Sequence, residues 1–167
     1  MKTSPLEATA YHEAGHAVVA WFLGIMFDEK ALTIIPTADF HGLFRHKNIL
    51  RRFRLDVEIS DNSRLRAERV VQVLLAGSEA QRRHKPSSVR RWHAKSDYCQ
   101  AVNVLSNFAP DPRELQAYIR LLGIRVQLLF DAPKRWGCVE ALATALLDRK
   151  SLSGQKAIDI IQATIRK

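Results

Sequence analysis

Five residues, His12-Glu13-Ala14-Gly15-His16, constrain this chain more than anything else in it. They fit the HExxH pattern, in which two histidines four apart serve one metal ion. At 3.6 residues per turn, positions four apart differ by roughly 40° around a helix axis. Both imidazoles therefore leave one face and can bind a single zinc ion, provided the segment is helical. The flanking residues predict a helix. Ser4-Pro5-Leu6-Glu7 reads as a capping box with proline at the first helical position, and Gly24 as a stop after about Leu23. Ala14, Ala17, Val18 and Val19 place this helix in a core. Gly15 costs a helix interior about 1 kcal/mol relative to alanine, which points to another backbone passing close by. A chance match to the pattern in a chain of this size has odds on the order of one in a hundred.

Glu13 follows the first histidine and is the candidate catalytic base. It stands where it can take a proton from water activated by the metal and pass it to a leaving amine. A catalytic zinc takes three protein ligands. The metzincin extension needs glycine and histidine where Val19 and Phe22 stand, so that class is excluded. On spacing alone, His41, Glu68, Glu79, His93, Asp97 and Glu114 all remain open as the third ligand.

The rest of the chain reads as mostly helical. Ala31–Ile35 is short, partly β-branched and followed by Pro36, so it predicts a strand, with Phe40–Phe44 as its return partner across Gly42. A second helix begins near Ser60 and frays into a basic stretch around Pro86. A third runs from about Ser96 to before Pro110. Asp111-Pro112-Arg113-Glu114 opens a fourth, reaching about Phe130. Pro133 opens a fifth, to about Arg149. Ser151–Gly154 reads as a turn before a last helix carrying Ile158, Ile161 and Ile165. The expectation is a mainly α fold, with a small β element near the active site, in a single domain over residues 1–167.

No apolar run approaches the roughly 20 residues that span a bilayer, and no signal peptide is evident. With only Cys99 and Cys138, a disulfide framework is not expected and the cytoplasm is the default compartment. The net charge of +9 arises from 26 Lys+Arg against 17 Asp+Glu, concentrated in Arg45–Arg54 and Arg82–Lys95. No nucleic-acid module signature accompanies it, so the basic segments read as a solvated face or a surface for an acidic partner.

Beyond these readings, Thr9-Ala10-Tyr11-His12-Glu13-Ala14-Gly15-His16-Ala17 resembles the zinc-site helix of the FtsH-type peptidases, the proteolytic domains of ATP-dependent, membrane-anchored zinc proteases. Leu32-Thr33-Ile34-Ile35-Pro36 is similar to that family's strand beside the cleft, and Ala76-Gly77-Ser78-Glu79-Ala80 to its glycine-containing helix. Ala94-Lys95-Ser96-Asp97 resembles the segment whose aspartate is the third zinc ligand. Trp136, Glu140–Leu147 and Leu152-Ser153-Gly154 look like its C-terminal helices. The resemblance implies zinc held by His12, His16 and Asp97, with Glu13 as base. It also implies an edge strand at Thr33, Ile34 and Ile35 along which an extended substrate adds by main-chain hydrogen bonds.

The chain departs from the family at Gln81 and Arg82, where an acidic pair is usual, and at His93, where glycine is usual. It shows no P-loop pattern, and no membrane anchor is expected from these residues. The expected function is a zinc endopeptidase acting on flexible or unfolded polypeptide without ATP coupling in this chain. The alternative is a zinc-bound binding module without proteolytic activity. A separate ATPase is a further candidate partner, and oligomeric state is left open.

Overall fold

A computed structural model describes residues 4–37, 41–51, 54, 59–89 and 95–166. The fold is mainly α, with six α-helices and one small antiparallel sheet among the described residues.

Helix α1 (Pro5–Phe22) starts where the sequence predicts: Ser4 is extended, and its hydroxyl accepts from the Glu7 amide at 3.1 Å. The expected box is half made, since the Glu7 carboxylate turns instead to His84 Nε2 at 3.0 Å. The helix ends at Gly24, whose φ of +70° belongs to the left-handed region. Ten of its residues are buried, including Ala10, Ala14, Ala17 and Val18, so α1 is the central rod of the molecule.

Helix α2 (Asp61–His84) lies against α1 and begins with a complete capping box between Ser60 and Ser63. It runs to His84, into the basic stretch, and Pro86 opens a short 3₁₀ turn, where the sequence predicts the helix to give way. Helices α3 (Lys95–Leu105), α4 (Pro112–Asp131), α5 (Pro133–Arg149) and α6 (Gly154–Arg166) follow. The Asp111 carboxylate caps α4, accepting from the amides of Arg113 at 2.8 Å and Glu114 at 3.4 Å. Two apolar clusters result. One gathers α1, α5, α6, the C-terminal part of α4 and the sheet around residues such as Val18, Phe130, Leu142 and Ile161. The other joins α2, α3 and α4 through Val71, Leu75, Leu105 and Leu122. Helix α2 serves both, with Val73, Ala76 and Ala80 in the first cluster and Val71 and Leu75 in the second.

The sheet corrects two expectations. Strand β1 spans Phe27–Thr33, starting earlier and ending earlier than Ala31–Ile35. Strand β2 (Leu43–His46) pairs with it antiparallel, as the return partner should; Phe40 lies outside the described residues. The predicted turn at Ser151–Gly154 contains instead a two-residue strand, β3 (Ser151–Leu152), which takes the other side of β1. The order is β2-β1-β3, so the segment expected to be an exposed edge is central. Leu32 and Thr33 face Phe44 and Leu43 on one side and Leu152 and Ser151 on the other. No main-chain edge is left there for an added strand.

The crossing of α1 and α2 is unusually close. A Cβ on Gly15 would lie 2.5 Å from Ala80 Cβ and 2.7 Å from the Ala76 carbonyl oxygen. Backbone cannot swing aside as a side-chain tip can, so the collision outweighs alanine's helix preference of about 1 kcal/mol. Gly15→Ala should therefore lower the midpoint of urea unfolding, by about 1–3 kcal/mol of stability. An unchanged or raised midpoint would show that the helices separate freely.

Candidate metal centre

His12 and His16 lie one turn apart on α1 with ring centroids 4.6 Å apart, edge to face. Asp97, in the first turn of α3, meets them from 85 residues away. Its Oδ2 stands 3.1 Å from His12 Nε2 and 3.3 Å from His16 Nε2. Among the described residues these three form a group whose ligand atoms all lie within 4.8 Å of one another. Donors at typical zinc–nitrogen and zinc–oxygen distances in a tetrahedral set sit about 3.3 Å apart. The spacings to the carboxylate oxygen suit that arrangement.

Two backbone features prepare the donors. His16 Nδ1 lies 2.6 Å from the Val73 carbonyl oxygen, which can only accept. Nδ1 therefore carries a proton in every state, so that when the ring is neutral the Nε2 lone pair is left for a metal, the arrangement metal-binding histidines require. Gly77 supplies the space. A Cβ there would lie 2.4 Å from His16 Nε2 and 2.6 Å from His12 Nε2. Glycine thus keeps clear the ground beside both ligand nitrogens, and the residues fit a small divalent cation such as zinc.

Glu13 is 5% exposed, and no hydrogen bond from a described residue reaches its carboxylate. The Gly42 backbone closes over it, for a Cβ on Gly42 would lie 2.6 Å from Glu13 Oε1 and 2.5 Å from Thr9 Cγ2. Burial pushes the Glu13 pKa up, outweighing the pull of His12 and His16, while Asp97 pushes it the same way. For Asp97, burial alone would raise the pKa, but the charge of His16 and hydrogen bonds from both histidines hold it well below the usual carboxylate range. For His16, burial alone would lower it, but the Asp97 carboxylate, with help from Glu13 and the Val73 carbonyl, pushes it up to about 9.

These residues line a cleft of about 610 Å³ between α1, α2, α3 and β2, with Leu43, Phe44 and His46 on the strand side. The remaining candidate ligands stand elsewhere. Glu68 accepts from Tyr118 Oη and Arg125 Nη1, both at 2.6 Å. Glu79 accepts from Arg82 and, at 2.9 Å, from Gln127. Glu114 is exposed at the start of α4, His41 lines the cleft outside the group of three, and His93 lies outside the described residues. Thr33, Ile34 and Ile35 do not line the cleft: Thr33 Oγ1 accepts from Ser151 Oγ at 2.8 Å, the Ile34 amide donates to Lys150 O at 2.9 Å, and Ile35 points outward, 53% exposed. The strand on the cleft wall is β2, which pairs on one side only among the described residues. Val73, Gly77 and the contact of Gly42 with Glu13 are not singled out by sequence. The Ala76-Gly77-Ser78 segment carries a signal, a glycine inside a long helix, but nothing in the sequence says what that glycine faces.

Family models and curated proteins, compared with this chain, give no match.

Two outcomes check the site. Gly77→Ala should stay folded, because alanine favours helix and the obstructing atoms belong to side chains. Its zinc affinity should fall at least tenfold in competition with a chelator; unchanged affinity would mean that Gly77 makes no room for metal. In the chelated protein, the pair of charges has a definite pH signature. His16 is raised from 6.5, so its contribution is complete below about 6.5 and is lost as pH climbs through about 9. Asp97 is lowered from 3.8, so its contribution is present above about 3.8 and is lost on acidification below that. Thermal melts of metal-free protein should therefore decline between pH 6.5 and 9 more steeply than those of Asp97→Asn; parallel profiles would refute the pairing.

Proposed function

We propose that the chain is a zinc-dependent endopeptidase acting on flexible or unfolded polypeptide. What carries this reading is the convergence of three zinc-type donors with a buried carboxylate that no described hydrogen bond satisfies. A binding module needs the donors alone, and leaving a carboxyl group buried beside them costs stability unless it has work to do. Zinc on His12 Nε2, His16 Nε2 and Asp97 Oδ2 would supply Lewis acidity, polarising a peptide carbonyl and lowering the pKa of water.

The chain's own residues do the rest. Glu13, with its pKa raised by burial, takes a proton from the attacking water and returns it to the amine nitrogen as the peptide bond breaks. Val73 holds the His16 ring in place through Nδ1. Gly42 keeps bulk solvent from Glu13 on the strand side. The side of β2 that is unpaired among the described residues borders the cleft and would offer main-chain groups to an extended segment, which gives affinity without demanding sequence. A folded substrate offers such a segment only by opening, at a cost up to its full stability of about 5–15 kcal/mol. This chain has no phosphate-binding loop to couple that cost to a nucleotide.

Among the described residues no helix is long and apolar enough to cross a membrane. The basic segments are only partly described, since residues 52–53 and 90–94 lie outside the described set; they remain a candidate surface for an acidic partner.

Purified protein should carry one zinc per chain and cut casein slowly, with no effect of ATP. Glu13→Gln should keep the metal, measured by elemental analysis, and lose about 10²–10⁴-fold in cleavage rate. Cleavage that survives Glu13→Gln overturns the assignment of the base. Full zinc occupancy with no cleavage of any unfolded substrate would favour the binding-module alternative.

A further inference from the structure

A second cavity, of about 600 Å³, opens beside Asp97 between α2, α3 and α4. Leu74 and Asp97 line both this cavity and the cleft of the metal centre, so the two are neighbours. Four charged side chains belong to its lining: Glu79, Arg82, Asp97 and Arg120. Three of them are compensated within the fold. Arg82 and Gln127 occupy the two carboxylate oxygens of Glu79. Asp97 turns its Oδ2 to His12 and His16.

Arg120 is the fourth. It is exposed, and among the described residues its guanidinium has no ion-pair, hydrogen-bond or ring partner. The other arginines of α4 differ: Arg113 holds Asp111 at 3.0 Å, and Arg125 holds Glu68 at 2.6 Å. The hydroxyl of Tyr98, a residue 46% exposed in the same lining, likewise bonds to no described residue. The cavity thus has donors to spare, while its own anions are already satisfied. Gly123 stands one turn after Arg120 on the same wall, and a Cβ there would meet nothing within 4 Å. Glycine weakens a helix interior, and no packing neighbour requires it here; its effect is to leave the space next to Arg120 open.

We infer that Arg120, with the Tyr98 hydroxyl beside it, binds a carboxylate of the substrate, so that the enzyme favours an acidic group close to the cleaved bond. This site rests on the peptidase reading and names the substrate chemistry that goes with it. A guanidinium presents parallel N–H donors that match the two oxygens of a carboxylate, and it stays charged at any ordinary pH. The carboxylate can come from a Glu or Asp side chain or from the end of the substrate chain. An extended chain advances about 3.3 Å per residue, so a group one or two positions from the reacting carbonyl can pass Asp97 and enter the cavity. The apolar part of the lining, Leu75, Ile119 and Ile124, suits the methylene groups that carry a glutamate carboxylate. A lysine in the same place would meet a like charge. The net charge of +9 attracts acidic peptides to the whole surface, so a local site must show itself against that background.

The test uses zinc-loaded protein and peptides with Glu, Gln or Lys at each position around the cut, and with free or amidated C-termini. Wild type should prefer Glu to Gln at one position, or a free to an amidated terminus, by about fivefold or more in kcat/KM. The gain should lie in KM and shrink at high salt. The position of the effective carboxylate identifies its source. Arg120→Gln should abolish the preference, and Arg120→Glu should reverse it in favour of Lys. Arg166→Gln, which removes the same charge from α6, should leave it intact. No acid preference in wild type, an unchanged preference in Arg120→Glu, or an equal loss in Arg166→Gln overturns the site. Binding of fluorescent peptides to zinc-loaded Glu13→Gln, followed by anisotropy, separates the two readings. If wild type cleaves nothing, the peptidase reading fails. The carboxylate site then stands only if acidic peptides bind and adding Arg120→Gln weakens them by about fivefold or more. It is overturned if binding is absent or unchanged.

Discussion

The close crossing of α1 and α2 at Gly15 is the contact on which the rest depends. It places one stripe of α2 directly against the zinc-type face of α1. Val73, Ala76, Gly77 and Ala80 follow one another at helical spacing, and each has a task there. Ala76 and Ala80 pack on Gly15, Val73 offers its carbonyl to His16, and Gly77 leaves room beside both imidazoles. Had either helix carried a larger residue at the crossing, the two axes would stand further apart. The Val73 carbonyl would then leave hydrogen-bond range of His16 Nδ1, and the tautomer would no longer be set. Small residues at an interhelical contact thus determine the protonation of a ring several ångströms away.

Burial of charge is the second constraint. His16 is 7% exposed and Glu13 5%, within a helix whose other buried residues are alanine, valine and Gly15. Polar groups in such a setting need compensation. Without metal, compensation comes from a proton held between Asp97 and His16, which is why His16 is pushed up while Asp97 is pushed down. The donor set that holds a proton in this way is also one that a divalent cation satisfies with both imidazoles neutral. Metal and proton therefore compete for the same lone pairs, and affinity for metal should weaken as pH falls.

Local signals in the chain carry most of the architecture. Ser4, Ser60 and Asp111 each start a helix where a short polar side chain precedes a helical pattern, because capping is decided within four residues. The HExxH spacing by itself places two ligands and the candidate base on one helix. Asp97 is not separable from five other candidates by spacing, since its approach is set by the packing of α3 against α2; only the family resemblance points to it. The sheet is legible in part. Phe27-Asp28-Glu29-Lys30 lacks alternation, so the first half of β1 gives no strand signal, and its central position depends on a two-residue strand 118 residues further on. Such a strand has no periodicity to read. For that reason β2, and not β1, lies at the edge of the sheet among the described residues: an edge is a property of the sheet, not of the segment.

The three candidate ligands also divide between the two apolar clusters. His12 and His16 belong to the rod packed by α5 and the sheet, whereas Asp97 rides on α3, which packs with α2 and α4. That second unit is braced by polar ties from α4 to α2. Tyr118 donates to Glu68, burial and that bond together pushing its pKa up to about 12, so the phenol stays protonated and the bond persists at any ordinary pH. Arg125 takes the other Glu68 oxygen, and Gln127 reaches Glu79 about three turns along the same helix. Movement of α4 would therefore be felt at α2, and through α2 at both the imidazoles and the carboxylate that faces them. An ion held by all three side chains would link α1 to α3 across 85 residues of sequence, and so would stabilise the contact between the clusters as well as serve the chemistry. In a fold arranged this way, binding a metal and assembling the cleft would be one equilibrium.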